Sequence, residues 1–173
     1  MQTAMSLLNA TSANLWSVNE LAKLLDHETL TKKQALLMGS TIGQHIRHVL
    51  EFYECLLDTR DFGVVCYDKR KRRLELEEDI FVIGDTILRI VTTIESKISD
   101  TPIRLEISFS ATNDEAAVFE STVNRELAYC LEHMIHHLVM IKMALSVDRP
   151  EIQLPENFGV AYSTIRNKVQ CAQ

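Results

Sequence analysis

Apolar residues recur along this chain in four long stretches with the three-and-four step of a helix, and in one shorter stretch with the two-step of a strand. The first helical stretch runs from about Thr3 to Leu25, with Leu8, Leu15, Val18, Ala22 and Leu25 on one face, and its pattern stops at Asp26-His-Glu-Thr-Leu-Thr. His27 falls in that break and is expected to face solvent. Ser40 or Thr41 caps a second helix that ends near Asp58, ahead of Thr59-Arg-Asp-Phe-Gly. A third spans Asp79 to Ser99 and turns Ile80, Ile83, Ile87, Ile90, Val91 and Ile94 inward. Residues Ile103 to Ser110 alternate, a polar turn follows at Ala111 to Glu115, and Ala117 to Val123 completes a predicted β-hairpin. The fourth helix, Arg125 to Ser146, is apolar around so much of its circumference that burial by several neighbours, or by a second copy in a homodimer, is expected. Pro150 and Pro155 then interrupt helix formation, leaving a loop and a short final helix. The prediction is an all-α fold: a four-helix bundle with a small β-hairpin before the last long helix, forming one domain over residues 1–173.

The histidines follow these helices. Of the six in the chain, all but His27 lie in the second or fourth helical stretch. Each residue advances about 100° around a helix, which places Leu127, Leu131, Met134, Leu138, Ile141 and Leu145 on one seam of the fourth helix. His133 and His137 sit beside that seam in a row with Glu126, Cys130, Met140 and Ala144. The second helix repeats the arrangement. Its seam is Ile42, Ile46, Val49, Tyr53 and Leu56, and its flanking row is His45, His48, Phe52 and Cys55. His136 lies on the far face with Arg125, Tyr129 and Met143.

Residues four apart on a helix have Cβ atoms about 5–6 Å apart, so His133 and His137 can share one ion at bond lengths of about 2.0–2.1 Å. A third ligand has to come from another element. His48 is the first choice, with His45 as the alternative ligand or as a partner that orients one. Three imidazoles without an obvious carboxylate leave coordination positions open, as in catalytic sites. An ion so held lowers the pKa of bound water or keeps a substrate thiol as thiolate, and His45 is placed to transfer a proton.

The segments Ile42-Gly-Gln-His-Ile-Arg-His-Val-Leu and Arg125-Glu-Leu-Ala-Tyr-Cys-Leu-Glu-His-Met-Ile-His-His-Leu-Val-Met-Ile-Lys together resemble the DinB-like (DinB/YfiT-like) superfamily of metal-dependent enzymes. Tyr67-Asp-Lys-Arg-Lys-Arg and Ala161-Tyr-Ser-Thr-Ile-Arg look like features of one branch, so the resemblance covers most of the chain. It implies a four-helix bundle in which His48, His133 and His137 hold a divalent metal, commonly nickel or zinc, at one end of a pocket, with His136 not ligating. It also implies thiol-dependent transfer to a small electrophile, or metal-assisted hydrolysis. One departure is the apolar Leu138-Val-Met-Ile after the last ligand, where many relatives carry His-Arg-Gly-Gln.

Composition adds limits. An apolar content of 46% suffices for a full core, no run approaches the roughly 18 apolar residues of a membrane span, and no signal peptide opens the chain, so a cytoplasmic protein is expected. Cys55, Cys66, Cys130 and Cys171 lack paired C-x-x-C spacing; Cys55 and Cys130 are expected to line the pocket with Glu126 as small buried side chains or orienting groups. The basic run Lys69-Arg-Lys-Arg-Arg is offset by Leu74-Glu-Leu-Glu-Glu-Asp in a chain of net charge −6, which argues against nucleic acid. The run is expected to form a salt-bridged loop, or to offer Tyr67 and Arg70 to the carboxylate or thiol-bearing end of a small substrate. A metal-sensing or purely structural role, or a helical partner-binding module dimerising through the fourth helix, is the non-enzymatic alternative.

Overall fold

The computed structural model describes residues 2–96, 98–113 and 115–171. Among these, six helices and a three-stranded sheet are formed: α1 (Gln2–Leu24), α2 (His27–Thr31), α3 (Ile42–Thr59), β1 (Val64–Val65), α4 (Ile80–Glu95), β2 (Pro102–Ser108), β3 (Ala116–Thr122), α5 (Val123–Asp148) and α6 (Tyr162–Cys171). The four long helices enclose one core. α1 packs on α4 and α5, and α3 packs on the same two from the opposite side. The seam residues of α3 and α5 predicted from periodicity are all buried, as are Leu15, Val18, Ala22 and Leu25 of the first stretch.

Local chemistry sets the helix ends. The Thr41 hydroxyl accepts from Gln44 N at 3.0 Å while Gln44 Oε1 accepts from Thr41 N at 3.1 Å, a reciprocal cap that fixes where α3 begins and so where its histidines point. Asp79 caps α4 through Phe81 N and Val82 N. That helix stops at Glu95 and not at the expected Ser99. Asp100 and Thr101 are tied to the next element: Asp100 Oδ1 accepts from Asn124 N at 2.9 Å, and Thr101 O accepts from Val123 N at 3.1 Å. Thr122, the last residue of β3, caps α5, which starts two residues before the predicted Arg125.

The hairpin forms as expected, with Ile103 opposite Ser121 and Leu105 opposite Phe119. A third strand joins it. β1 pairs in parallel with β2, Val64 opposite Arg104 and Val65 opposite Leu105. Two residues are too few to show periodicity in the sequence. So are the five of α2, which begins at the exposed His27 expected in a loop. The strand matters because it anchors the run from Cys66 to Arg73, which then crosses over α3. Among the described residues no helix is long and apolar enough to cross a membrane.

Two glycines permit close backbone contacts. A Cβ at Gly43 would lie 1.8 Å from Glu77 O, so the turn Leu74–Glu77, which buries Leu76 completely, rests directly on the first turn of α3. A Cβ at Gly159, whose φ is 71°, would lie 2.6 Å from Val139 N, which lets the segment after α5 lie on that helix's backbone. Gly43→Ala should therefore lower the urea midpoint by an amount equivalent to at least about 1–3 kcal/mol. Gly84→Ala, whose nearest neighbour is the tip of the Asn19 side chain at 3.2 Å, should leave it nearly unchanged.

Candidate metal centre

α3 and α5 lie side by side with their histidine rows facing each other. His48 Nε2 is 2.9 Å from His133 Nε2, and His45 Nδ1 is 2.8 Å from His137 Nδ1. One ring nitrogen from each of His48, His133 and His137 lies within 4.8 Å of the others, and no carboxylate or thiol joins this group among the described residues. Two nitrogens bound to one ion at about 2.0–2.1 Å stand about 2.9 Å apart at right angles and about 3.4 Å apart at the tetrahedral angle. The His48–His133 separation already falls at the short end of that range. A set of three imidazoles suits zinc, nickel, copper or iron better than magnesium or calcium.

Aromatic rings hold these side chains in place. Phe52 stacks on His133 with centroids 4.6 Å apart and 24° between planes, and Tyr129 flanks the same imidazole at 5.7 Å and 19°. Phe52 also stacks on Tyr67, at 4.7 Å and 7°. Burial keeps the imidazoles neutral. It lowers His48 to about 4, with help from the nearby Arg70 cation, and lowers His137 to about 3, with further contributions from His133, His48 and His45. His45 and His133 move in the same direction for the same first reason. Neutral imidazole is the form that ligates a metal.

Arg70 reaches the cluster from the basic run. Its Nη2 donates to His48 Nδ1 at 3.1 Å, its Nε to Glu51 Oε2 at 3.2 Å, and its Nη1 to Tyr67 O at 3.0 Å. A guanidinium has no acceptor, so His48 Nδ1 accepts. Neutral His48 then carries its proton on Nε2, directed at His133 Nε2. A neutral His48 that held a metal through Nε2 would carry its proton on Nδ1 instead, and Arg70 Nη2 would have to turn away from it. Glu51, fully buried on α3, also accepts from Arg73 N at 2.8 Å, so one carboxylate anchors both ends of the loop. Glu54, one turn further, binds Arg73 and Arg89.

The other predicted site residues lie around this centre in different settings. Tyr67, expected against a substrate, is only 4% exposed, and its hydroxyl donates to Glu126 Oε2 at 3.0 Å beside Cys130 Sγ at 3.6 Å. The structure places it in the core, where stacking on Phe52 is its link to the histidines. Glu126 is fully buried and also accepts from Ser121 Oγ at 2.6 Å and Arg125 Nη1 at 2.7 Å. Burial raises the Cys130 thiol to about 12 and the Cys55 thiol to about 11. Cys55 lies on a separate cavity of about 600 Å³ with Cys66. His136 is exposed, as its place on the helix wheel requires. A smaller cavity of about 380 Å³ opens onto His45, His48 and His137. Its remaining walls are Ser40, Gln44, Arg47, Arg70 and Arg72, of which only Arg70 was singled out from the sequence. Glu51 was missed too, although its position on α3 beside His48, together with the density of cations in the basic run, signalled a buried partner.

The chain matches no known protein-family profile and no solved structure. It is similar to a protein of Rhizopus delemar named FK506-binding protein 5, with 39% identity over 107 residues. The match covers 60% of this chain and 27% of that protein, so the chain corresponds to a minor part of this relative's length.

Two outcomes follow, the first for the metal-free protein. Unfolded imidazoles take up protons below about pH 6.5, whereas His48 and His137 resist until about 4 and about 3. In that window the unfolded state binds more protons, so stability should fall as pH is lowered from about 6.5 towards 4. The urea midpoint of the His48→Ala, His133→Ala, His137→Ala variant should depend less steeply on pH over the same range. Tyr67→Phe removes one donor from buried Glu126 and should cost about 1–3 kcal/mol in the same measurement. Its bound-metal content should not change.

Proposed function

We propose that this chain is a divalent-metal-dependent enzyme of the DinB-like four-helix-bundle type, a cytoplasmic single domain that acts on a small molecule by thiol-dependent transfer or by hydrolysis. The observation that carries this reading is the convergence of His48, His133 and His137, from two helices 85 and more residues apart in sequence, within 4.8 Å of one another. Nickel or zinc is the ion assigned to them. When bound, such an ion supplies Lewis acidity that makes water or a thiol nucleophilic near neutral pH.

The remaining residues have separable tasks. With His137 ligating through Nε2, its Nδ1–H donates to His45 Nδ1, which fixes the His137 tautomer. His45 then keeps its own proton on Nε2 and serves as the proton-transfer group for whatever occupies the cavity it lines. Phe52 and Tyr129 hold the His133 ring plane. Arg70, braced by Glu51, holds the His48 ring while no ion is bound, a role that replaces direct substrate contact for this residue. Glu126 and Cys130 support the site from beneath through Tyr67.

A non-catalytic metal-binding or dimeric interaction module is the second reading. It draws on the exposed Val139, Met143 and Val147 of α5, an apolar face suited to a second copy of the chain, and on the Rhizopus delemar relative, in which the matched segment is a minor part of a longer polypeptide.

Elemental analysis separates the readings first. Protein purified without added metal should carry about one transition-metal ion per chain, and the triple histidine variant should carry none. Equal content in both would remove the metal. Incubating the loaded protein with electrophiles plus low-molecular-weight thiols, and with simple esters and amides, should then give turnover that drops at least about a hundredfold in His45→Gln while the metal is retained. Retained metal with no turnover on any of these substrates would favour the second reading.

A further inference from the structure

The wall of the 380 Å³ cavity beside the histidines is rich in donors and has no carboxylate of its own. Its three guanidinium groups are not equivalent. Arg47 is tied to Glu77 and lies 3.5 Å from Glu51, and Arg70 is tied to Glu51. Arg72 has no acidic side chain within ion-pair distance among the described residues, although its neighbours Arg70 and Arg73 are both paired. Around it the polar atoms are also donors with spare capacity. Gln44 uses its Oε1 in the α3 cap, which leaves its amide N–H groups uncommitted, and the Ser40 hydroxyl makes no hydrogen bond among the described residues. Arg47 Nε is buried without a hydrogen-bond partner. Glu51 and Glu77 neutralise two of the three cations from behind, so one positive charge remains at the mouth.

We infer that Arg72, with Gln44 and Ser40, forms an anion subsite at the mouth of the histidine cavity, and that the small-molecule substrate carries a carboxylate or phosphate group which this subsite holds while the rest of the molecule reaches the imidazoles. The inference rests on the small-molecule reading above and deepens it. It also moves the anion contact from Arg70 and Tyr67, whose polar atoms are committed elsewhere, to a residue two positions further along the same run. The cavity lies at the small end of the range for ligand sites, which fits a metabolite-sized acid better than a peptide or a polynucleotide. A guanidinium is suited to either group because its parallel N–H donors match two oxygens of carboxylate or phosphate.

The test is an NMR titration of the metal-free, isotope-labelled protein with inorganic phosphate and, in a separate arm, with succinate, at constant ionic strength. Saturable shifts centred on Ser40, Gln44 and the Arg72 side chain are expected in at least one arm, and the arm with tighter binding names the anion. Arg72→Gln should weaken that binding about tenfold, Arg72→Lys should restore part of it, and Lys168→Gln on the distant α6 should have no effect. Arg72 is exposed, so its variants should keep the parent's urea midpoint. Shifts that do not saturate, or equal affinity in Arg72→Gln, would overturn the subsite. Metal content is read separately on protein purified without added metal and not stripped of it. Loss of the metal reading would appear there, and loss of the subsite would appear only in the anion titration.

Discussion

The contact between α3 and α5 is the constraint on which the rest of the molecule depends. Both helices bury a continuous apolar seam, and both carry imidazoles one position to the side of it. Burying the seams fixes the rotation of each helix about its axis, and that rotation brings the flanking rows face to face. The polar cluster is therefore positioned by apolar packing, and no dedicated loop is needed to assemble it. Its orientation is then refined by the Phe52 and Tyr129 rings on His133, and by the reciprocal cap between Thr41 and Gln44 that sets the start of α3.

Around this contact the protein buries an unusual amount of charge. Glu51, Glu54 and Glu126 are all withdrawn from solvent, and each is met by at least one arginine. A buried ion pair contributes little net stability, because desolvation offsets most of the attraction, but removing one partner is costly. Such pairs fix geometry. Glu51 holds the loop from Arg70 to Arg73 across α3, Glu54 ties that loop to α4 through Arg89, and Glu126 joins β3, α5 and Tyr67. The same demand for pairing explains why Tyr67 faces inward: its hydroxyl is one of the donors that Glu126 requires.

Helical periodicity made the long helices legible because a stripe of Ile, Leu and Val repeated over four or more turns matches neither the two-step of a strand nor the polar irregularity of a loop. It also made His48, His133 and His137 legible, since residues beside a seam have a known direction even before the partner helix is known. What remained hidden was set by partners distant in sequence. β1 is two residues whose pairing with β2 leaves no pattern of its own, and α2 is little more than one turn. The run that holds Tyr67 and Arg70 carries no sign of which carboxylates meet it, and in the fold Glu51 and Glu126 take both. Arg72 could not be separated from its neighbours until those pairings were known.

The paired imidazoles also gauge how the two helices are aligned along their length. A slip of one residue moves a side chain about 1.5 Å along the axis and about 100° around it, enough to part His48 from His133 and His45 from His137 together. Any ligand that bridges them consequently stabilises a single axial alignment of α3 on α5. The seams oppose the same slip, since it would turn residues such as Ile46 and Leu138 away from the partner helix, and the imidazole contacts add a polar constraint to that apolar one. The histidines thus serve as a registration pin for the interior, and drift in core packing would be felt first as a mismatch between their nitrogens.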